Sequence, residues 1–317
     1  MSTQSGGSGR VGQPALPAAP LVGRRGRFWN KHRREGLTGW LLVGPVMLYY
    51  AVLGVIPLGA VLVLSFVRWN GFSGQPKWVG LKNFQTLWRF PQYREALWHT
   101  IYIGGLILTA SVLVGFAIAL LLNANVRGRG IYRTIWYLPT IVSFAIIAQM
   151  WNAFLDPTTG VFNSILRWLH LPAIEWALSS FWMVVWIVVM TTWKGVGGTM
   201  IIFLAGLQGI DPTLYEAARI DGAGRLALLR YVTLPSLRPI TVFVLVTGAL
   251  GAMQIFEPVY LLSKGGPFDA TTVIIYRIYE DAFQDNQFGV ACATSVVFAL
   301  MCMSFTVVQL RAFGSRV

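Results

Sequence analysis

The sequence is poor in charge and in cysteine. Charged residues make up 12% of the 317 residues, where a soluble domain carries roughly a quarter. Hydrophobic residues make up 55%, which excludes an intrinsically disordered chain and leaves too little charge to cover a soluble fold. Two cysteines are too few for a disulfide-stabilised scaffold. The composition therefore predicts one membrane-embedded body that takes up nearly the whole chain.

The motifs of most enzymes are also missing. The dipeptide Gly-Lys never occurs, so the sequence has no phosphate-binding P-loop. The three histidines fall in separate segments, and no His, Cys and Glu residues have the spacing of metal ligands. The net charge of +13 does not indicate a nucleic-acid partner, because the basic residues flank apolar runs. Cys292 and Cys302 would lie about 15 Å apart on a straight helix, too far for a disulfide, and are interpreted as packing residues.

Six apolar runs follow one another along the chain. They cover residues 37–67, a run between Glu95 and Arg127, a run between Arg133 and Asp156, and about residues 178–207, 239–262 and 289–310. Each run can supply the ~20 apolar residues that cross a bilayer. The backbone must satisfy its own hydrogen bonds in lipid, so the runs are expected to be helices. The sequence therefore predicts an all-α integral membrane protein with six transmembrane helices.

The distribution of basic residues indicates the orientation. With the N-terminus inside, sixteen of the 25 Lys and Arg residues fall in inside segments and eight in outside segments. The positive-inside rule then puts both termini in the cytosol, as an even number of spans requires. The predicted organisation is a disordered basic cytosolic tail over residues 1–36, a six-helix membrane domain over residues 37–310 and a short cytosolic tail over residues 311–317. The long first apolar run excludes a cleavable signal peptide.

The cytosolic segment at about residues 206–238 has a pattern of its own. Asp211 can cap a helix that has Pro212 at its first position, and Glu216 then falls on the second turn. Gly222 and Gly224 break this helix and allow a sharp turn. The segment is compatible with an ordinary amphipathic loop and with an element that docks a partner.

A second short helix is expected after the glycines. Apolar residues recur between positions 226 and 233, as on one face of a helix. Pro235 and Pro239 are expected to end this helix before the fifth span.

Several spaced motifs, in this segment and elsewhere in the chain, resemble those of a known family. Glu216-Ala217-Ala218, with Gly222 six residues after the Glu and Leu234-Pro235 after a further eleven residues, resembles the EAA loop. That loop is typical of the membrane subunits of binding-protein-dependent ABC importers. Val232 stands where Ile is more usual. Five stretches resemble the carbohydrate branch of this family, which includes the maltose and glycerol-3-phosphate permeases. They are LAGLQGI at 204–210, DGAG at 221–224, GGP at 265–267, TTVIIYRIYEDAF at 271–283 and VGLKNF at 79–84.

The resemblance covers about residues 37–310 and implies a type I ABC importer permease fold. It implies a multi-pass subunit of the bacterial cytoplasmic (inner) membrane that passes a sugar or oligosaccharide. It also implies a heterodimer with a second, similar permease, two cytosolic ATPase subunits and an extracytoplasmic solute-binding protein. ATP and Mg would be bound by the ATPase subunits, with no cofactor and no catalytic residue in this chain. The residues implied in coupling to the ATPase are Glu216, Ala217, Ala218, Asp221, Gly222, Leu234 and Pro235.

Two intramembrane charges suggest where the solute passes. Lys194 interrupts the fourth run, at a cost of roughly 2.5–3.5 kcal/mol at the centre of a span, and should face a polar cavity. The alternative is a helix-end lysine that reaches an interface. In the fifth run Gln254 and Glu257 are expected on one helix face, with Pro258 disturbing the backbone. A structural pair that faces the partner permease is the alternative. The predicted pathway residues are Trp193, Lys194, Gly195, Gly198, Gln254, Glu257 and Tyr260.

The segment from Thr271 to Phe283 is expected to form an amphipathic helix on the outer surface. Arg277 and Asp281 can pair there at i+4. Such a helix would meet the binding protein or cap the cavity, and a plain interfacial helix is an alternative.

Other functions remain open from the residues alone. A self-sufficient secondary transporter usually shows two similar halves, which six unlike spans do not suggest. A membrane enzyme would need a convergent acid–base or metal set, which the sequence does not offer. The same importer type could also carry glycerol-3-phosphate or another polar solute.

Overall fold

The computed structural model describes residues 40–71, 74–124 and 127–314, with side chains as far as residue 312. The predicted basic tail over residues 1–36 lies outside the described residues. The chain divides into two units, Met1–Leu58 and Gly59–Val317. The described part of the first unit, residues 40–58, is helical, and its side chains are exposed.

The first helix, α1, spans Trp40–Leu64. It widens into a π-helical stretch at Ala51–Val55, just before Pro57, whose missing N–H and bulky ring disfavour the regular helical hydrogen-bond pattern. The predicted run extended to residue 67, but the helix ends earlier. A two-stranded antiparallel ribbon follows, β1 (Val67–Arg68) with β2 (Lys77–Trp78), which the all-α prediction did not include.

The second unit is built from helices. They are α2 (Lys82–Arg89), α3 (Pro91–Asn123), α4 (Arg129–Ile141), α5 (Phe144–Leu155), α6 (Val161–Trp168), α7 (Ser180–Gln208), α8 (Pro212–Ile220), α9 (Arg225–Ser236), α10 (Arg238–Met253), α11 (Ile274–Tyr279) and α12 (Phe288–Gly314). Short π-helical turns lie at Val259–Ser263 and Glu280–Gln284.

Among the described residues four helices, α1, α3, α7 and α12, are long and apolar enough to cross a membrane. The third predicted span is instead the pair α4 and α5, bent by 97°, and α9 and α10 form a second pair bent by 65°. Counting each bent pair as one span gives up to six. The third run is thus not one continuous helix, because the backbone becomes extended at Val142 and Ser143. The second bend, at Leu237, lies just before the fifth run.

The second short helix ends before the fifth span, as predicted: α9 passes through Pro235 and ends at Ser236, after a π-helical stretch at Leu229–Thr233. A proline is tolerated there because the wider turn has already displaced the regular hydrogen bonds. At the other end, α10 stops at Met253, although the run of apolar residues continues to residue 262.

The core of the second unit lies along α3 and α7, which pack against each other over much of their length. One buried cluster joins these two helices to α10 and includes Met200 and Phe203, at 0% and 1% exposure. A second joins them to the 259–263 turn and α11, with Ile103 and Ile187 completely buried. These two long helices therefore form the frame on which the broken spans pack.

Candidate functional site

The first candidate site is the segment from α8 to α9, which begins with a helix cap. The Asp211 carboxylate accepts a hydrogen bond of 2.9 Å from the Thr213 N–H, and Pro212 occupies the first helical position. The hydrogen bond from Thr213 lowers the pKa of Asp211. The cap therefore has the form that the sequence predicted, because a carboxylate satisfies one of the free N–H groups of the first turn.

The end of α8 is closed by Gly222. Its φ of +80° lies in the left-handed region that glycine adopts without strain. The Gly222 N–H donates to the Arg219 carbonyl at 3.0 Å and the Ala223 N–H donates to the Ala218 carbonyl at 2.9 Å. This pair of bonds is a Schellman motif, which needs the left-handed residue. The predicted glycine turn is present, and Gly224 precedes α9 with an extended backbone.

A side-chain bond links the two short helices. The Tyr215 and Thr233 hydroxyls share a hydrogen bond of 3.0 Å, and Thr233 also donates to the Leu228 carbonyl at 3.3 Å. Tyr215 packs against the buried cluster that α3, α7 and α10 form. A groove of about 480 Å³ lies beside this link, and Glu216 and Arg219 line it.

The outer surface of this segment is open. Glu216 and Ala217 are exposed and Ala218 is half-buried, while Ile220 is 87% exposed. Asp221, Leu234 and Pro235 are also exposed. Further exposed apolar side chains on the same two helices are Leu214, Leu226 and Tyr231. Among the residues that the structure describes, none covers these apolar side chains or the Glu216 carboxylate.

The second candidate site surrounds Lys194, near the middle of α7. Its ammonium group donates to the Thr140 carbonyl at 3.1 Å and lies 4.9 Å from the centre of the Phe144 ring. The Thr140 hydroxyl donates back to the Lys194 carbonyl at 2.9 Å. Lys194 is half-buried, and these contacts place it against the break between α4 and α5.

The neighbours of Lys194 differ in their surroundings. Trp193 is half-buried and its ring lies 6.3 Å from that of Trp151 in α5. Gly195 and Gly198 face open space, since no atom lies within 4 Å of the point where a Cβ would be. At Gly197 a Cβ would lie 2.5 Å from the Trp136 carbonyl oxygen, so this glycine lets the backbones of α4 and α7 meet. Its place in a glycine-rich stretch was the only signal of this role in the sequence.

The third group, Gln254, Glu257 and Tyr260, is not on one helix face. The helix α10 ends at Met253, and Gln254 and the next two residues are not helical, so the i+3 argument fails. All three residues are exposed. The Tyr260 ring stacks on Phe256, with centroids 5.3 Å apart. No described contact joins these residues to Lys194 directly, but the 259–263 turn packs against α5.

The segment from Thr271 to Phe283 differs from the expected surface helix. Its regular helix begins only at Ile274, and the residues before it are buried, with Thr271 and Val273 at 0% exposure. The reason is packing against α3 and α12: the Ile274 N–H donates to the Thr100 hydroxyl of α3 at 2.8 Å. The apolar side of the segment therefore packs into the protein, and its contact with a binding protein or with the cavity stays a prediction.

The predicted pair between Arg277 and Asp281 is confirmed, at 2.9 Å. The sequence did not indicate that Arg277 also meets Glu280 at 3.3 Å and Asp285 at 3.4 Å. Nor did it indicate that Tyr93 of α3 donates to Asp281 at 3.3 Å. Burial raises the pKa of Asp281 to about 6, against the lowering influence of Arg277. The segment thus satisfies most of its charge internally.

Comparison with a known protein family gives a match over much of the chain. Residues 111–313 match the family described as "Binding-protein-dependent transport system inner membrane component". The matched range includes both the α8–α9 segment and Lys194.

Individual relatives match nearly the whole chain. A probable ABC transporter permease protein, YesP of Bacillus subtilis, is 34% identical over 290 residues, which are 88% of this chain and 91% of YesP. The trehalose/maltose transport system permease protein MalF of Thermococcus litoralis is 30% identical over 88% of this chain and 94% of MalF. A crystal structure of a bacterial ABC transporter involved in the import of the acidic polysaccharide alginate matches with a TM-score of 0.80 and 27% identity, over 92% of this chain and 99% of the other. The similarity therefore covers fold and sequence together.

Proposed function

We propose, since this chain belongs to the family of inner-membrane components of binding-protein-dependent transport systems, that it passes a carbohydrate across the bacterial cytoplasmic membrane. The chain is a permease subunit of an ABC importer and a multi-pass membrane protein. Family members of this kind are non-catalytic. The carbohydrate assignment draws support from the trehalose/maltose permease and from the alginate importer among its relatives.

The observation that carries the proposal is the α8–α9 segment. It is held by its own caps, yet Glu216 and the side chain of Ile220 are exposed. We propose that this segment docks into an ATPase subunit, where Glu216 meets a cation and the apolar side chains are covered. Asp221, Gly222, Leu234 and Pro235 shape the same surface. ATP and Mg are then bound by two ATPase subunits, and a solute-binding protein delivers the solute from outside.

The proposed topology has six spans, with each bent pair counted as one. Both termini then lie in the cytosol, with the membrane domain at residues 37–310 and short tails at residues 1–36 and 311–317. A second, similar permease completes a heterodimer. The exposed apolar surface of α3, α7 and α12 is compatible with contact to that partner and to lipid.

The proposed pathway borders the glycines of α7 and the exposed turn after α10. Gly195 and Gly198 leave space on one side. Gln254, Glu257 and Tyr260 offer an amide, a carboxylate and an aromatic face, the groups that bind sugars. Trp193 and Lys194 lie at the edge of the same region. Cysteine at position 254, with Cys292 and Cys302 replaced, should react with a polar thiol reagent in the assembled complex; protection in both inward- and outward-facing states would contradict the pathway.

Two substitutions test the docking assignment. Glu216→Ala should weaken ATPase binding or uncouple hydrolysis from transport, because it leaves the partner's cation unpaired in the interface. Gly222→Val should be as harmful or worse, because a β-branched residue resists a φ of +80°. Solute binding by the separate binding protein should not change. The control is Asp285→Asn, which removes the negative charge of an exposed side chain outside the α8–α9 segment.

The measurements are sugar uptake and ATPase co-purification with the membrane subunits. Normal uptake and normal ATPase retention in both variants would refute the docking assignment. The chain purified alone should neither bind nor hydrolyse ATP, since it lacks a phosphate-binding loop. Hydrolysis by the pure chain, with contaminating ATPases excluded, would contradict this.

A further inference from the structure

We propose that Lys194 is a positioning residue of the transport pathway. Its ammonium group holds the break between α4 and α5 and, through α5, sets the turn that carries Tyr260. Lys194 would then border the pathway without binding the solute. The consequence for transport rests on the proposed function, whereas the structural role of Lys194 does not.

The break between α4 and α5 leaves backbone carbonyl groups that need hydrogen-bond donors. The last carbonyl groups of a helix have no intrahelical partners, and α4 ends at Ile141 inside a bent span. Within a membrane such groups are costly unless protein or water satisfies them. The extended backbone at Val142 and Ser143 cannot supply the missing helical bonds.

Lys194 supplies a donor on one side of this break and a contact on the other. Its ammonium donates to the Thr140 carbonyl in the last turn of α4. A cation at the C-terminal end of a helix is also favoured by the helix dipole. The same ammonium lies over the ring of Phe144, the first residue of α5. One charge therefore contacts both helices of the bent pair.

The link is reciprocal and close. The Thr140 hydroxyl returns a hydrogen bond to the Lys194 carbonyl. One turn further along α7, Gly197 lies directly against the backbone of Trp136 and Tyr137 in α4. In the part of the chain that the structure describes, no carboxylate forms an ion pair with Lys194. The partner of this cation is thus the backbone of the broken span.

The helix α5 connects the break beside Lys194 to the turn at 259–263. The Asn152 side chain donates to the Leu261 carbonyl at 3.3 Å. Trp193 and Leu262 pack on the same buried cluster, which contains Trp151 of α5. A shift of α5 would therefore move the turn that holds Tyr260. This is the physical route from Lys194 to the pathway.

The test uses the complete transporter with Cys292 and Cys302 replaced and the substitution Tyr260→Cys introduced. Three variants are compared: Lys194→Met removes the cation, Lys194→Arg keeps it, and Lys82→Met removes an exposed cation elsewhere. One readout is the rate at which a polar thiol reagent labels the thiol at position 260. The other, with Tyr260 intact, is the KM and the maximal rate of uptake of maltose and of an alginate trisaccharide.

We expect Lys194→Met to lower the maximal rate about 10-fold or more for each sugar that is taken up, with KM changed less than about twofold, because a charged hydrogen bond is lost. The labelling rate at position 260 should change, and Lys194→Arg should restore both readouts in large part. Lys82→Met should match the parent. Should Lys194→Met fail to assemble, Thr140→Val, which removes only the returned bond, should alter the labelling at position 260 in the same direction.

Two results would overturn the proposal. An increase in KM for the acidic sugar alone, with the maximal rate unchanged, would make Lys194 a solute ligand. Unchanged labelling at position 260 in both Lys194→Met and Thr140→Val would remove the route through α5. If the parent complex took up neither sugar, the labelling arm would still decide the role of Lys194.

Discussion

Two connecting segments of this protein differ in the burial of their charged and apolar residues: one exposes them and the other buries them. In the α8–α9 segment Glu216 is exposed and Ile220 is 87% exposed. In the segment between α10 and α12, Asp281 is completely buried, and Ile274 is 1% exposed. The buried carboxylate meets Arg277 within its own segment and Tyr93 of α3. The difference supports the proposal that another protein covers the first segment, whereas the second packs against its own chain.

The largest expected effect on stability tests the self-contained segment. Arg277→Met removes the 2.9 Å partner of Asp281 and leaves a buried acid without its cation. Breaking such a pair typically costs about 3–5 kcal/mol. The fraction of purified protein that stays folded after heating should therefore fall sharply. Arg89→Met, at an exposed position of α2, is the control. Equal heat stability of the two variants would show that the ion pairs of Arg277 contribute little to stability.

A matched pair of isoleucines tests the contrast directly. Ile274→Ala should destabilise the protein by about 2–5 kcal/mol, because it opens a cavity in the buried cluster. Ile220→Ala should change stability by no more than about 0.5 kcal/mol and should nevertheless reduce ATPase retention. Heat stability and ATPase co-purification are measured for both. If Ile220→Ala retained the ATPase fully, the exposed side chain would not be part of the docking surface.

The pH dependence of stability sharpens the comparison further. Burial raises the pKa of Asp281 to about 6, so the folded protein holds this proton more tightly than the unfolded chain. The contribution of Asp281 is then fully present below about pH 4 and is lost as the pH rises through about 6. Between pH 5 and pH 7 we expect this one group to remove about 1–2 kcal/mol of stability.

Heat stability measured across that pH range gives the test. Asp281→Asn should flatten the dependence, because the amide does not titrate. Asp285→Asn, which removes the more exposed acid beside Arg277, should keep most of it. A dependence that survived in Asp281→Asn would have to come from another group.

The smallest expected effect concerns the cap of α8. Asp211→Ala removes the acceptor of the Thr213 N–H at an exposed position. We expect a modest loss of ATPase retention with the heat stability of the membrane domain unchanged, because only α8 depends on this bond. Asp211→Asn keeps an acceptor and should behave as the parent protein. A large loss of heat stability in Asp211→Ala would mean that the segment supports the membrane domain, contrary to the comparison.

The sequence predicted those features that depend on neighbouring residues. Asp211 and Pro212 begin α8 and Gly222 ends it, since capping and left-handed turns are local chemistry. The i+4 spacing of Arg277 and Asp281 likewise predicted their contact. The burial of that pair was not predictable, because it depends on Tyr93, which lies far away in the sequence.

Features that depend on the direction of a helix were beyond the sequence. Apolar composition indicates that a segment lies in the membrane, but not that its helix turns by 97° at Val142 and Ser143. The proline of α4, Pro139, lies within the helix and not at the break. For the same reason Gln254 and Glu257 were placed on one face of a helix that ends at Met253.

The double closure of α8 has a consequence for how the transporter assembles. Asp211 and Gly222 close both ends of this helix with bonds from the chain itself, so under the proposed docking its backbone is already ordered before an ATPase subunit binds. Association then loses little further conformational entropy in this segment, and complex formation does not wait for a folding step. We therefore expect the membrane subunit and the ATPase to mature separately and to join in either order, with the encounter itself limiting the rate.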